Sequence, residues 1–373
     1  MPPSSPPRSL CLVVSTLAKP GGAEKIIALM ANFWAQRGVR VSVLTFDDPS
    51  EPLFFETDPG IHLHRLSLKR RSSGPIAAIN RNLRRVRILR RAICTENPDI
   101  VISFITAMNV LVLLASTGLQ KPVIVCERSV PGVTPERFLW KLLSRLLYRR
   151  AASIVVQSRR AAEYFLPTFE RRLRIIPNPV LRTGVVRVRR DHNLHELIAL
   201  GRFSEEKCFD NLISAFSKVA DVHPDWYLTI YGDGPLRAEL QAQVLRLGLT
   251  ERVSLPGNIK DVSAKLAKAD LFALTSRFEG FPNALCEAMA TGLPVISTNC
   301  PGGVGDLVRD GEDGILVPVN DVEALAEALH HLMSNPAERE RLGGRAREVT
   351  ERFDVDRIME LWDEALGEAC ARL

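Results

Sequence analysis

Glu279 and Glu287 stand eight residues apart, and the residues between them prescribe how the two carboxylates are held. Gly280, Phe281 and Pro282 form a tight bend that delivers the chain into a helix near Asn283, where proline's fixed φ fits and its missing N–H costs nothing. The first amides of that helix, at Asn283, Ala284 and Leu285, lack partners within it, and the helix dipole adds positive potential, so the entry is an anion site. Glu279 then lies at its mouth, and Glu287 about one turn, roughly 6 Å, further along. Carboxylates repel phosphate but accept hydrogen bonds from hydroxyls. The implied ligand is a phosphate flanked by two polyols, which is the layout of a nucleotide sugar. Taken alone, the pattern equally fits a solvated loop glutamate followed by a helix-start charge that the dipole favours.

The elements that position these groups are apolar runs. Leu271–Leu274 and Leu293–Ile296 read as buried parallel strands before and after the Glu279 loop and its helix. From Leu10 to Ile176, β-branched runs near 10–15, 40–45, 61–66, 100–104, 122–126, 152–156 and 173–176 alternate with helical patterns, the mark of βαβ units. Gly21 and Gly22, after the first of them, let backbone approach a ligand at a helix start. A second series has strands near 197–201, 226–231, 252–255, 270–274 and 294–297. Its first strand runs into Gly201, Arg202 and Lys207, and its second into Gly232, Asp233, Gly234 and Pro235. Arg237 stands where a dinucleotide fingerprint needs glycine, which counts against a dehydrogenase. Residues 177–193, rich in proline and polar groups, read as the linker between the two series.

At 373 residues the chain exceeds a single core, so two domains are expected. The net charge of +6 is unevenly spread: residues 1–190 carry +19 and the remainder −13, so the first half is suited to an anionic partner. Seven scattered cysteines without a CxxC pair indicate neither a disulfide framework nor a zinc site, and fit a reducing, cytoplasmic compartment. Residues 1–7 read as disordered, and 9–18 as a first strand rather than a signal peptide. Residues 100–120 carry no charge and are long enough to span a bilayer, but divide better into a strand (100–104) and a helix (107–117).

Two helical segments hold most of the basic excess. In 76–94, six arginines surround the stripe Ile76, Ile79, Leu83, Val86 and Ile93; in 135–150, Lys141, Arg145 and Arg149 stack beside leucines, Phe138 and Trp140. Two readings stand: helices lying on anionic lipid, each basic group contributing about 1 kcal/mol, or helices packed on the sheet with solvated basic faces. Nucleic acid is not indicated, since no recognition motif or stacking aromatics accompany the charge.

In the Glu279-x7-Glu287 spacing, the Ser276–Thr298 stretch around it and the Ile-Pro-Asn-Pro-Val of 176–180, the chain resembles the retaining glycosyltransferases of family 4, GT-B fold, of the bacterial lipid-linked and capsular oligosaccharide type. The resemblance covers nearly the whole chain. It implies two doubly wound, Rossmann-like α/β domains facing across a cleft: an acceptor-binding domain of residues 1–178, joined by a last helix (353–373) that crosses back, and a nucleotide-sugar domain of residues 179–352. It implies a hexose or N-acetylhexosamine moved from a nucleotide sugar, UDP-linked by preference, to a polyprenyl-diphosphate-linked glycan, in the cytoplasm and with a peripheral position on the inner face of the membrane. Arg202 and Lys207 match the cations that hold the donor pyrophosphate, Glu279 the group on sugar hydroxyls and Glu287 the group on ribose; Gly21, Gly22, Gly201, Gly232 and residues 280–285 complete the donor site. No metal or other cofactor is implied; Asp47-Asp48 reads as a loop pair. The chain departs from relatives that carry His after the fifth strand, having Glu127-Arg128-Ser129 there; Glu127 is a catalytic candidate or a structural pair. The rivals are a GT-B-like epimerase and a nucleotide-sugar-binding protein without turnover.

Overall fold

The computed structural model describes residues 7–19, 21–69, 74–130, 138–182, 184, 194–259 and 261–372. They form two compact units, Met1–Asn178 with Asp356–Leu373, and Pro179–Val355. Residues 1–6, 183, 185–193 and 135–137, and with them parts of the expected disordered start, linker and second basic helix, lie outside the described residues.

Among the described residues the first unit is built on seven parallel strands: β1 (Ser9–Val14), β2 (Arg40–Thr45), β3 (His62–Arg65), β4 (Ile100–Phe104), β5 (Val123–Cys126), β6 (Ser153–Val156) and β7 (Leu173–Ile175), in the order β3-β2-β1-β4-β5-β6-β7. Strands β1, β4, β5 and β6 are buried along their whole length, which is why they read as unbroken apolar runs. The chain steps outward from β1 to β3, returns to β4 beside β1, and steps the other way to β7. Right-handed crossovers therefore place helix Gly22–Gln36 on one face and the helices after the reversal on the other. Half of the first face is left for another element. The helix Val355–Cys370 takes it: Trp362 meets Trp34 edge-to-face at 6.0 Å, Trp34 Nε1 donates to Asp363 Oδ1 at 3.3 Å, and Arg174 of β7 pairs with Glu368. Phe353 packs instead on Phe281 of the second unit, so the last helix begins two residues after the expected start.

Among its described residues the second unit has six parallel strands: β8 (His195–Leu200), β9 (Trp226–Tyr231), β10 (Val253–Gly257), β11 (Leu271–Leu274), β12 (Val295–Thr298) and β13 (Ile315–Val317), ordered β10-β9-β8-β11-β12-β13. Both sheets thus reverse direction once, between β1 and β4 and between β8 and β11. Loops at the carboxyl ends of those strands diverge and leave a crevice for ligands. The uncharged stretch 100–120 resolves into β4 and the ten-residue helix Thr106–Ala115, about 15 Å long. Among the described residues, no helix is long and apolar enough to cross a membrane.

Candidate active site

In the second unit the reversal brings the ends of β8 and β11 together. After β8 the chain turns through Gly201, Arg202 and Phe203 into a single 3₁₀ turn, Glu205–Lys207. Thr275 Oγ1, just past β11, donates to the carbonyls of Lys207 (2.8 Å) and Cys208 (3.1 Å), and Arg277 N donates to Glu206 O at 2.8 Å. These bonds fasten one loop to the other. They set Lys207 Nζ 2.6 Å from Glu279 Oε1, in a pair whose side chains are only 20% and 12% exposed. Ser276 Oγ donates to the same oxygen at 2.6 Å, while among the described residues Oε2 accepts no hydrogen bond. The backbone of Glu279 is clamped on the other side, its N–H donating to Pro301 O (3.1 Å) and its carbonyl accepting from Gly303 N (3.3 Å).

Helix Asn283–Ala290 opens four residues later. Its first intrahelical bond runs from Cys286 N to Pro282 O at 3.1 Å, so the amides of 283–285 precede the ladder. Pro282 is the residue capping this helix, one position ahead of the first turn. Glu287 lies one turn past Asn283 and is half-buried, as are Asn283 and Ala284. Arg202 is exposed and makes no ion pair among the described residues.

Gly201 and Gly232 meet each other. At φ +147° a Cβ on Gly232 would lie 1.8 Å from Gly201 O, and one on Gly234 2.4 Å from Phe203 O. The loops after β8 and β9 therefore run backbone against backbone, and this contact holds the Arg202–Lys207 turn in place. Cys286 and Cys300 flank the Glu279 loop; burial raises both thiols, Cys300 to about 12 with the Glu279 carboxylate adding to the effect. Both stay protonated at neutral pH, which removes them as nucleophiles.

In the first unit, Gly21 caps helix Gly22–Gln36, with Lys25 N donating to Gly21 O at 3.0 Å. Glu24 folds over the turn, so a Cβ on Gly21 would fall 2.0 Å from its Oε2; burial raises this carboxyl above its ordinary range. Asp47 is fully buried: it accepts from Thr16 Oγ1 (2.5 Å) and Leu17 N (2.8 Å) and pairs with Lys69. Among the described residues no group of three His, Cys, Asp or Glu could hold a metal ion.

Glu127, at the end of β5, is 2% exposed. Its carboxylate accepts from Thr106 Oγ1 (2.9 Å), Asn109 Nδ2 (3.3 Å) and Tyr148 Oη. It also lines a cavity of about 230 Å³ with Arg145, Arg149, Tyr164 and Thr168. Its neighbour Arg128 points to the opposite face, stacking 5.0 Å over Phe104 and donating to Asn178 Oδ1. Glu127→Ala is expected to lower stability by about 3 kcal/mol or more, because buried donors left unpaired cost roughly 1–3 kcal/mol each. Urea unfolding checks this, with Glu127→Gln losing less; an alanine variant as stable as the parent would show that the network holds nothing.

Sequence reasoning assigned Lys207 and Glu279 to one donor site but did not foresee their contact, and it missed Thr275 and Ser276, the hydroxyls that fasten them. The available signal was position: both hydroxyls follow the last apolar residue of β11 directly.

Both halves of the chain match known protein families. Residues 21–179 match the glycosyl transferase 4-like domain, and residues 187–349 match glycosyl transferases group 1. An exopolysaccharide phosphotransferase of Streptomyces coelicolor is 40% identical over 172 residues, which is 46% of this chain but only 18% of that protein. Over 361 residues, 96% of this chain and 98% of the relative, the chain is 26% identical to the GalNAc-α-(1→4)-GalNAc-α-(1→3)-diNAcBac-PP-undecaprenol α-1,4-N-acetyl-D-galactosaminyltransferase of Campylobacter jejuni. Among solved structures, Anabaena HepE in complex with UDP-glucose superposes with TM-score 0.75 at 20% identity, over 98% of this chain and all of the other. The chain belongs to the GT-B glycosyltransferases, its two halves carrying the family's 4-like and group 1 domains.

Proposed function

We propose that this glycosyltransferase is a retaining hexosyl- or N-acetylhexosaminyltransferase that draws on a nucleotide sugar, UDP-linked, and extends a polyprenyl-diphosphate-linked glycan. The observation that carries the reading is the Lys207–Glu279 pair, held beside the opening of helix Asn283–Ala290 at the reversal of the second sheet. The donor is UDP-linked by analogy with the UDP-glucose complex of HepE, and the acceptor lipid-linked by analogy with the Campylobacter relative.

In this reading Lys207, Arg202 and the helix opening hold the donor diphosphate, Glu287 accepts from ribose hydroxyls, and Glu279 Oε2 accepts from the sugar. The bond from the anomeric carbon to phosphate oxygen breaks and the acceptor oxygen adds on the same face. The acceptor's proton passes to the leaving phosphate. Charge builds on the nucleoside diphosphate, and fixed cations in a partly dry site stabilise it there, so no metal is needed. Gly21, Gly22 and Glu127 lie in the first unit, which takes the acceptor; the two glycines open a helix start to the donor diphosphate. Exposed Ile76, Ile79 and Leu83, and exposed Leu139, Leu142 and Leu146 beside Arg145 and Arg149, would rest the cytoplasmic enzyme on anionic lipid.

The test is transfer from UDP-GlcNAc, UDP-GalNAc, UDP-glucose and GDP-mannose to an undecaprenyl-diphosphate-linked acceptor, with the product's anomeric configuration read by NMR. An α-linked product from one of the α-configured UDP-sugars is expected. A β-linked product would overturn retention, and interconversion of UDP-sugars without transfer would favour the epimerase.

A further inference from the structure

At the opposite end of the first sheet, below the amino ends of β5 and β6, lies a cavity of about 290 Å³. Lys121, Arg150, Arg172 and Arg372 line it together with Ser116, and among the described residues no carboxylate does. The three guanidiniums are anchored on neutral oxygens: Arg150 Nη1 on Thr117 Oγ1 (3.0 Å), Arg172 Nη1 on Ala151 O (2.8 Å), and Arg372 on Ala152 O and Arg171 O (2.8 Å each). Among the described residues none of the four cations pairs with an acid, although nearby Arg174 has Glu368. Helix Thr106–Ala115 ends at this cavity, but its carboxyl end supplies only about half a negative charge against four positive ones.

Ser116 gives an independent sign. It is 9% exposed and, among the described residues, its Oγ has no hydrogen-bond partner. Buried hydroxyls are ordinarily satisfied, and one that is not has a ligand or water to meet. The loop beyond it turns through Gly118 (φ +76°) and Gln120 (φ +48°), bringing Lys121 back to the same opening.

We propose that this cavity is a second anion site, for a phosphate group borne by a small polar molecule or a phospholipid headgroup. Four cations and a hydroxyl donor match the oxygens of a phosphate, and the volume takes a phosphate with a small substituent. The site lies at the end of the strands remote from the crevice between β1 and β4, so it is independent of the transfer reading.

The experiment is a thermal-shift titration of the full chain with sodium pyrophosphate against sodium chloride at equal ionic strength. A saturable rise of several degrees is expected, since a ligand bound only to the folded state raises the melting temperature. Lys121→Gln should weaken the apparent affinity by about tenfold or more, as loss of a charged hydrogen bond does. Ser116→Ala should weaken it too, without lowering the melting temperature of the ligand-free protein, because its hydroxyl holds nothing in the fold. Lys207→Ala, in the other unit, should leave the Lys121-dependent shift intact. Co-sedimentation with phosphatidylglycerol vesicles separates the sources: binding lost in Lys121→Gln assigns a lipid headgroup, and binding unchanged assigns a soluble phosphate. No saturable shift, or one unaltered in both Lys121→Gln and Ser116→Ala, would overturn the site.

Discussion

Lys207→Ala is expected to lower kcat/KM by about 10²–10³-fold, the loss seen when one fixed group that stabilises transition-state charge is removed. The same substitution changes stability by about 1 kcal/mol or less. The pair with Glu279 is a single contact in a partly hydrated loop, and ion pairs of that kind contribute little. Glu279→Gln is expected to behave differently. It keeps an oxygen for Ser276 Oγ but releases Lys207 from its partner, so nucleotide affinity is preserved or raised while turnover falls. Steady-state kinetics with UDP-sugar varied, beside urea unfolding of the same proteins, separates these effects. A Lys207→Ala enzyme within about tenfold of the parent would mean that the cation does not face the leaving group.

Gly232→Ala is the substitution expected to damage the fold most. The new methyl would overlap Gly201 O at 1.8 Å, and φ +147° is a conformation that alanine avoids, so backbone rather than a side chain must give way. A loss of about 4 kcal/mol or more is expected, in the range reached only by strain or overpacking at a fixed position. Gly248→Ala is the control: its φ is +69° with nothing within 4 Å, so it isolates the cost of the dihedral at about 1 kcal/mol. If the two variants unfold at the same urea concentration, the loops after β8 and β9 do not touch as described. A folded Gly232→Ala protein should also lose activity, because the turn carrying Lys207 is braced by that contact.

Most of the architecture was legible because buried parallel strands write themselves as apolar runs. β4, β5, β11 and β12 are each buried throughout, and each was expected within about a residue of its place. β13 escaped notice: Ile315–Val317 is three residues long, between an acidic turn and Pro318, too short for any period to register. The candidate site divides similarly. Glu279, Glu287 and the opening at Asn283 lie within one loop and helix, where local spacing fixes geometry. The Lys207–Glu279 contact joins residues far apart in the chain, and only the pairing of β8 with β11 brings them together. Glu127 shows a third limit. Its type and position suggest chemistry, but whether the carboxylate meets Thr106, Asn109 and Tyr148 depends on how helices pack, which no local pattern encodes. The cavity around Ser116 and Lys121 was invisible for the same reason, since Arg150, Arg172 and Arg372 come to it from three separate elements.

Binding of a nucleotide sugar by the second unit through Lys207, Glu279 and Glu287 is read out by the melting temperature in UDP, GDP, ADP and their common sugars. A concentration-dependent rise with the uridine ligands is expected, absent or much reduced in Lys207→Ala and Glu287→Ala. A folded protein whose melting temperature none of them moves, or a uridine-dependent rise that both variants keep in full, would contradict it.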